Sequence, residues 1–211
     1  QELHDFLDSQ RTAFLVRFRR YFGKRARQQR LGAKETMIAT THCGIAVTDT
    51  GGDKPALLLM HGNSACKEVF QHQFEAFRND CRVIAFDLPG HGVSENADPE
   101  KSYNLVAYAE IAEEILHALG VESAVAFGWS LGGYVALELA ARGNIALRGL
   151  AISGTSPINI LPDDFAAGYN ADSHLVLSGK QFFSATEKRN YANSATAPYS
   201  KKSAFLHRNI G

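Results

Sequence analysis

The chain has little cysteine, only Cys43, Cys66 and Cys81 among 211 residues, together with one tryptophan, two methionines and six prolines. The cysteines are odd in number and show neither a CxxC pair nor zinc-ligand spacing. That argues against a disulfide framework and a structural zinc site, and points to free thiols in a reducing, cytoplasmic setting. Net charge is also lacking, because 22 Lys and Arg balance 22 Asp and Glu. No basic footprint for nucleic acid results. No run of 18 apolar residues exists, and the best N-terminal candidate, residues 12–22, is interrupted by Arg17, Arg19 and Arg20. Neither a membrane span nor a secretory core is therefore expected. Internal repeats and low-complexity tracts are not evident, and no cofactor is expected.

What is present is the composition of a folded domain, with 45% hydrophobic and 21% charged residues. The length suits one domain, or one with an insertion. The neutral total hides a split: residues 1–36 hold nine Lys or Arg against four Asp or Glu, and the rest is acidic by the same margin. In that basic segment Leu3, Leu7, Phe14, Phe18 and Tyr21 fall at helical spacing, which predicts an amphipathic helix. Such a helix can lie on an anionic membrane or serve as a presequence, but Glu2, Asp5 and Asp8 near its start weigh against both. An appended extension ending at residue 36, dispensable for chemistry, is the expectation.

From Met37 the texture changes. MIATTH and GIAVTDT flank a predicted hairpin turn at residues 42–44. Four continuous apolar runs follow at 56–62, 82–90, 123–130 and 147–154. Continuity rather than alternation is expected of strands buried on both faces of a parallel sheet. Helical patterns at about 65–79, 103–119 and 131–142 supply the crossovers. The series predicts an α/β core over 37–156, and the looser sequence at 157–211 predicts a cap-like helical insertion above the carboxyl edge of the strands, where open α/β sheets bind ligands.

Chemistry concentrates at that edge. Gly128, Trp129, Ser130, Leu131 and Gly132 form GxSxG between a predicted strand and a predicted helix, the setting of a nucleophile elbow. Small residues allow the sharp turn, and Ser130 is left standing above the sheet at a helix N-terminus. His61, Gly62, Asn63 and Ser64 end an earlier strand, so the backbone N–H of Asn63 can pair with that of Leu131 as an oxyanion hole; the Asn63 side chain could instead cap the following helix. A third motif, Asp87 to Ser94 (DLPGHGVS), follows another strand. His61 and His91 are expected to shape loops by hydrogen bonding, Asp87 to serve as a turn or cap residue, and Cys66 to be a buried small side chain. Trp129 could line a pocket or simply pack.

HGNS, DLPGHGVS and GWSLGG, in this order and spacing, resemble the α/β-hydrolase superfamily. With LLLMHGNS, RVIAFDLPGHGVS, DPEKSY at 98–103, VAFGWSLGG and LRGLAISGTSP, the chain is more specifically similar to the α/β-hydrolase-fold N-acyl-homoserine lactonases, from about Met37 to Pro198. The resemblance implies an α/β-hydrolase fold and metal-independent opening of an ester or lactone through an acyl-enzyme. It also implies a Ser, acid, His triad and substrate contact by a cap tyrosine matching Tyr191. Its acid and histidine lie after later strands, before which this chain ends, so they are expected beyond residue 211 and the 211 residues alone should turn over little. His174, His207, Asp163, Asp164, Asp172 and Glu187 follow no strand signal and are expected to be surface or cap residues. Serine at the elbow argues against the alkyl-enzyme chemistry of epoxide hydrolases, and Asn63-Ser64 lacks the proline of their HGxP pattern. The alternative is a noncatalytic fragment or ligand-binding protein of the same fold.

Overall fold

A computed structural model describes residues 32–155, together with 184, 186 and 187. The elements are β1 (Lys34–Ala39), β2 (Gly44–Asp49), β3 (Ala56–Met60), a 3-10 turn (Lys67–Phe70), α1 (Gln71–Phe77), β4 (Arg82–Phe86), α2 (Leu105–Ala118), β5 (Ser123–Trp129), α3 (Leu131–Arg142) and β6 (Ala146–Ser153). The six strands form one sheet in the order β1-β2-β4-β3-β5-β6. β1, β2 and β4 pair antiparallel, whereas β4, β3, β5 and β6 run parallel.

The continuous apolar runs are explained by burial on both faces. Leu58, Met60, Ile84 and Phe86 point into one cluster with Ile111, Ile115 and Leu116 of α2 and Val135 and Leu139 of α3. The alternate residues Leu59, Val83 and Ala85 point into a second, with Phe70 and Phe74. A strand with helices on both sides has no solvent face to fill with polar residues. Local signals set the helix ends: the Asn104 side chain accepts from Ala107 N–H and starts α2, and Gly143, at φ 68°, ends α3 in the left-handed region.

Several expected boundaries shift. The strands stop at Met60, Phe86, Trp129 and Ser153, ahead of the loops at His61-Gly62, Pro89-Gly90 and Gly154 and of the turn at Ser130. The helix expected over 65–79 begins as a 3-10 turn and becomes α-helical only at Gln71. β1 begins at Lys34, three residues before the texture change at Met37, and pairs with β2 from Lys34↔Asp49 onward. Its Lys-Glu-Thr start carries no apolar signal since β1 is an edge strand with a largely exposed pattern. The chain divides into two compact units after Thr155. Among the described residues no helix is long and apolar enough to cross a membrane, and the cysteines are unbridged. The amphipathic segment, and most of the region expected as a cap, lie outside the described residues.

Leu58 is fully buried at the centre of the larger cluster, while Val106 on α2 is 46% exposed. Leu58→Ala should lower unfolding free energy by about 2–5 kcal/mol through lost contacts and a residual cavity, and Val106→Ala should stay within about 0.5 kcal/mol. Urea unfolding of both variants against the parent checks the pair.

Candidate active site

Ser130 sits at the junction of β5 and α3 with φ 54° and ψ −118°. Only Ser64 shares a positive φ with it among the described non-glycine residues. A side chain held there carries strain of order 1–3 kcal/mol and needs support from its surroundings. The support is visible in three hydrogen bonds. Ser130 N–H donates to the Ser153 carbonyl at 2.8 Å, and the Ser130 carbonyl accepts Gly133 N–H at 2.9 Å and the Thr155 hydroxyl at 3.0 Å.

The glycines around Ser130 are required by contact. A Cβ at Gly128 would overlap the Gly132 carbonyl, and one at Gly132 would overlap the Met60 carbonyl at the end of β3. A Cβ at Gly62 would come to 3.0 Å from Ser130 Cβ and 3.3 Å from the Trp129 carbonyl. The loop after β3 therefore lies directly against the serine. Ser130 is half-buried and Asn63 is exposed beside it. Leu131 opens α3, so its N–H belongs to the first turn and has no carbonyl one turn back to receive it. Ser130, Leu131 and the Asn63 loop are thus brought to one place at the carboxyl edge. Trp129 is 37% exposed, and its indole reaches both Gly62 and the Gly154 position, 3.4 Å from a Cβ there.

Two buried polar residues anchor this edge. His61 is fully buried. Its Nε2 accepts Leu88 N–H at 3.0 Å, which leaves Nδ1 as the donor to the Gly62 carbonyl at 2.7 Å. The neutral ring satisfies both bonds, and burial, with His91 nearby, depresses its pKa from 6.5 to about 3. His91 packs 5.2 Å from it, ring to ring, and bonds the Pro89 carbonyl through Nδ1 at 2.9 Å.

Asp87 does more than shape a turn or cap a helix. It is fully buried and receives Lys67 N–H at 2.7 Å, Lys67 Nζ at 2.9 Å and Val93 N–H at 3.0 Å. Burial raises its carboxyl above the ordinary value, opposed by the Lys67 ammonium and by the N–H donors. Two main-chain N–H donors and the Lys67 ammonium favour the carboxylate form. Burial also pushes the Cys66 thiol well up, reinforced by Glu68 and Asp87, so Cys66 is held as a thiol rather than a nucleophilic thiolate. Cys66, Glu68 and Asp87 bring one ligand atom each within 4.8 Å of one another. The place of a cation among the two carboxylates is taken by Lys67, whose ammonium bonds Asp87 and Glu68.

Glu187 accepts Ser184 N–H at 2.8 Å while its own N–H donates to Ser184 Oγ at 3.3 Å, a reciprocal capping pair. Tyr191, His174, His207, Asp163, Asp164 and Asp172 lie outside the described residues. A cavity of about 510 Å³ occupies the opposite, amino edge of the strands, lined by Pro55, Arg82, Val121, Ser123 and Arg148 among others. It faces away from Ser130 and from the edge where parallel sheets place their ligands.

A parallel sheet with a strained serine turning into a helix defines a hydrolase-type α/β architecture. The sequence model of the alpha/beta hydrolase fold matches residues 55–204, and the chain belongs to that family. Among solved structures it resembles N-acyl homoserine lactonase AidH, complexed with N-butanoyl homoserine, at 35% identity and a TM-score of 0.72, over 84% of this chain and 65% of that one. Among curated proteins it is 33% identical to epoxide hydrolase 4 of Mus musculus over 110 residues, 47% of this chain and 31% of that protein. It is 30% identical to the pimeloyl-[acyl-carrier protein] methyl ester esterase of Nitrosospira multiformis over 118 residues, 56% of this chain and 44% of that protein. The chain thus spans less than half the length of these curated relatives.

The state of His61 makes the fold pH-dependent. Its native pKa is below the unfolded value, so the neutral ring contributes fully above pH 6.5, and that contribution is lost as pH falls from 6.5 toward 3. The full effect is about 4–5 kcal/mol. Unfolding free energy measured from pH 7 to pH 4 should decline more steeply in the parent than in His61→Gln. Equal slopes would remove this role.

Proposed function

We propose that the protein is a serine hydrolase that cleaves a carboxylic ester or lactone through an acyl-enzyme. Ser130 Oγ attacks the carbonyl carbon, the N–H groups of Leu131 and Asn63 receive the oxyanion, and collapse expels the alkoxide, which for a lactone stays tethered in the same acyl chain. Water then attacks the acyl-Ser130 ester and restores the hydroxyl. The observation that carries this reading is the backbone of Ser130, held at φ 54° against the Gly62 loop, because a strained serine between a strand and a helix N-terminus, next to the loop after β3, is the setting of a nucleophile elbow. The likeness to AidH supports a lactone substrate. Tyr191 is assigned to substrate contact on the same likeness.

His61 does not serve as the base. Both its ring nitrogens are bonded and its ring stays neutral to about pH 3, whereas a general base at neutral pH must accept a proton readily. The proton of Ser130 passes to a histidine outside the described residues, oriented by an acid. Relatives named as epoxide hydrolases suggest another substrate, but that chemistry needs a carboxylate where this chain has Ser130.

A fluorophosphonate should label the full-length protein, and Ser130→Ala should abolish labelling and lower ester turnover by about 10⁴-fold or more. Labelling retained in that variant removes the serine assignment. Ring opening of an N-acyl-homoserine lactone, assayed beside an aryl ester, decides the substrate class: turnover of the ester alone keeps the hydrolase and discards the lactonase.

A further inference from the structure

Lys67 is a charged side chain with only 2% of its surface exposed. It is the first residue of the 3-10 turn and ends the loop that starts at Gly62. Its ammonium reaches Asp87 Oδ2 at 2.9 Å, Glu68 Oε1 at 3.2 Å and Glu35 Oε1 at 3.3 Å. Its own N–H donates to the second Asp87 oxygen at 2.7 Å. One carboxylate therefore grips both the main chain and the side chain of the same residue. Burial opposes the ammonium, but Asp87, Glu68 and Glu35 outweigh it and hold Lys67 above its ordinary pKa.

The location gives the clamp its meaning. Residues 62–66 run between two anchors, and both anchors fasten to the segment after β4: His61 receives Leu88 N–H at one end, and Lys67 grips Asp87 at the other. Between them lie Asn63, exposed beside Ser130, and Ser64 at φ 57°. A short segment in a sparsely populated conformation persists only when its ends are fixed. An oxyanion donor works only when aimed in advance at the place where charge develops. Lys67 is too buried to attract or touch a substrate.

We propose that Lys67, clamped by Asp87 and steadied by Glu35, is a positioning residue that aims the Asn63 N–H at the oxyanion formed on attack by Ser130. The inference rests on the acyl-enzyme reading above. It also gives β1 a part in the reaction geometry, since Glu35 lies on that strand. A donor that contributes mainly in the transition state affects kcat more than KM.

The test compares Lys67→Met, Glu35→Gln and the parent, with aryl-ester kinetics on full-length protein and urea unfolding as the check of folding. Removing one partner of a buried pair leaves Asp87 uncompensated and can prevent folding. Glu35 is exposed at the pair's rim, and its substitution leaves the Asp87 bonds in place. Folded Lys67→Met should lose roughly 10- to 100-fold in kcat with KM within twofold, in line with the 10²- to 10³-fold cost of removing a donor outright. Glu35→Gln should lose roughly threefold in kcat, with KM again unchanged. Lys67→Arg, which restores a cation, should recover part of the loss. A folded Lys67→Met with kcat within twofold of the parent overturns the inference, as does an unchanged Glu35→Gln if Lys67→Met fails to fold. A change confined to KM overturns it too. Full turnover by Ser130→Ala in the same assay would instead overturn the acyl-enzyme reading, so the two failures are distinct.

Discussion

The carboxyl edge of the sheet depends on a crossing of main-chain segments too close for any side chain to lie between them. The first turn of α3 presses against the end of β3 so that Gly132 faces the Met60 carbonyl, and Gly128 faces Gly132 in turn. Met60 is followed by His61 and Gly62, so the same crossing carries the next loop onto Ser130. Strain at Ser130 is then a consequence of how β5 must turn into α3 within that space. The bonds from Ser130 to Ser153 and Thr155 fix the turn from the β6 side, and the bond to Gly133 fixes it within α3. The serine is set by packing on one side and by hydrogen bonds on the other, and neither requires a ligand.

Two buried polar groups next to this crossing meet the cost of desolvation in opposite ways. His61 is neutral, and its one donor and one acceptor are each matched by main chain. Lys67 is charged, and its donors meet three carboxylates. A buried ion is tolerated only with near-complete pairing, and loss of one partner is severe. Both residues fasten onto the segment that begins at Asp87. A loop that carries neither the serine nor its proposed donors is therefore the frame for both, and its own shape is fixed by Asp87 accepting Val93 N–H and by Ser94 Oγ donating to the Asp87 carbonyl.

The parallel strands were legible because burial on both faces leaves continuous apolar runs such as residues 56–60, and the elbow because Gly128, Ser130 and Gly132 have few other reasons to stand together between a strand and a helix. Placement at one edge follows from those two readings. What was not legible is long-range pairing. Lys67 reads in sequence as a solvated side chain, and its partner lies 20 residues away in a motif whose glycines suggest only a turn. Pairing between Lys67 and Asp87 is decided by the adjacency of β3 and β4, which no local pattern encodes. The start of β1 is hidden in the sequence for a related reason. Lys34, Glu35 and Thr36 form a strand because β2 offers them an edge, and propensity alone does not call for it.

The relatives bear on chemistry less than on the frame. A mouse protein named as an epoxide hydrolase and a bacterial one named as a methyl ester esterase both match about half of this chain, so the matched architecture does not by itself specify the bond that is cleaved. The side chain at position 130 narrows it. A carboxylate that opens an epoxide forms an ester, which water can hydrolyse to free the enzyme. A serine oxygen that opened an epoxide would form an ether, which has no carbonyl for water to attack, and the enzyme would be spent after one event. A serine oxygen that attacks a carbonyl forms an ester and can turn over. With Ser130 at the elbow, the acyl transfer proposed above is the reaction whose intermediate water can release, and the same scaffold with aspartate at that position would favour a different bond.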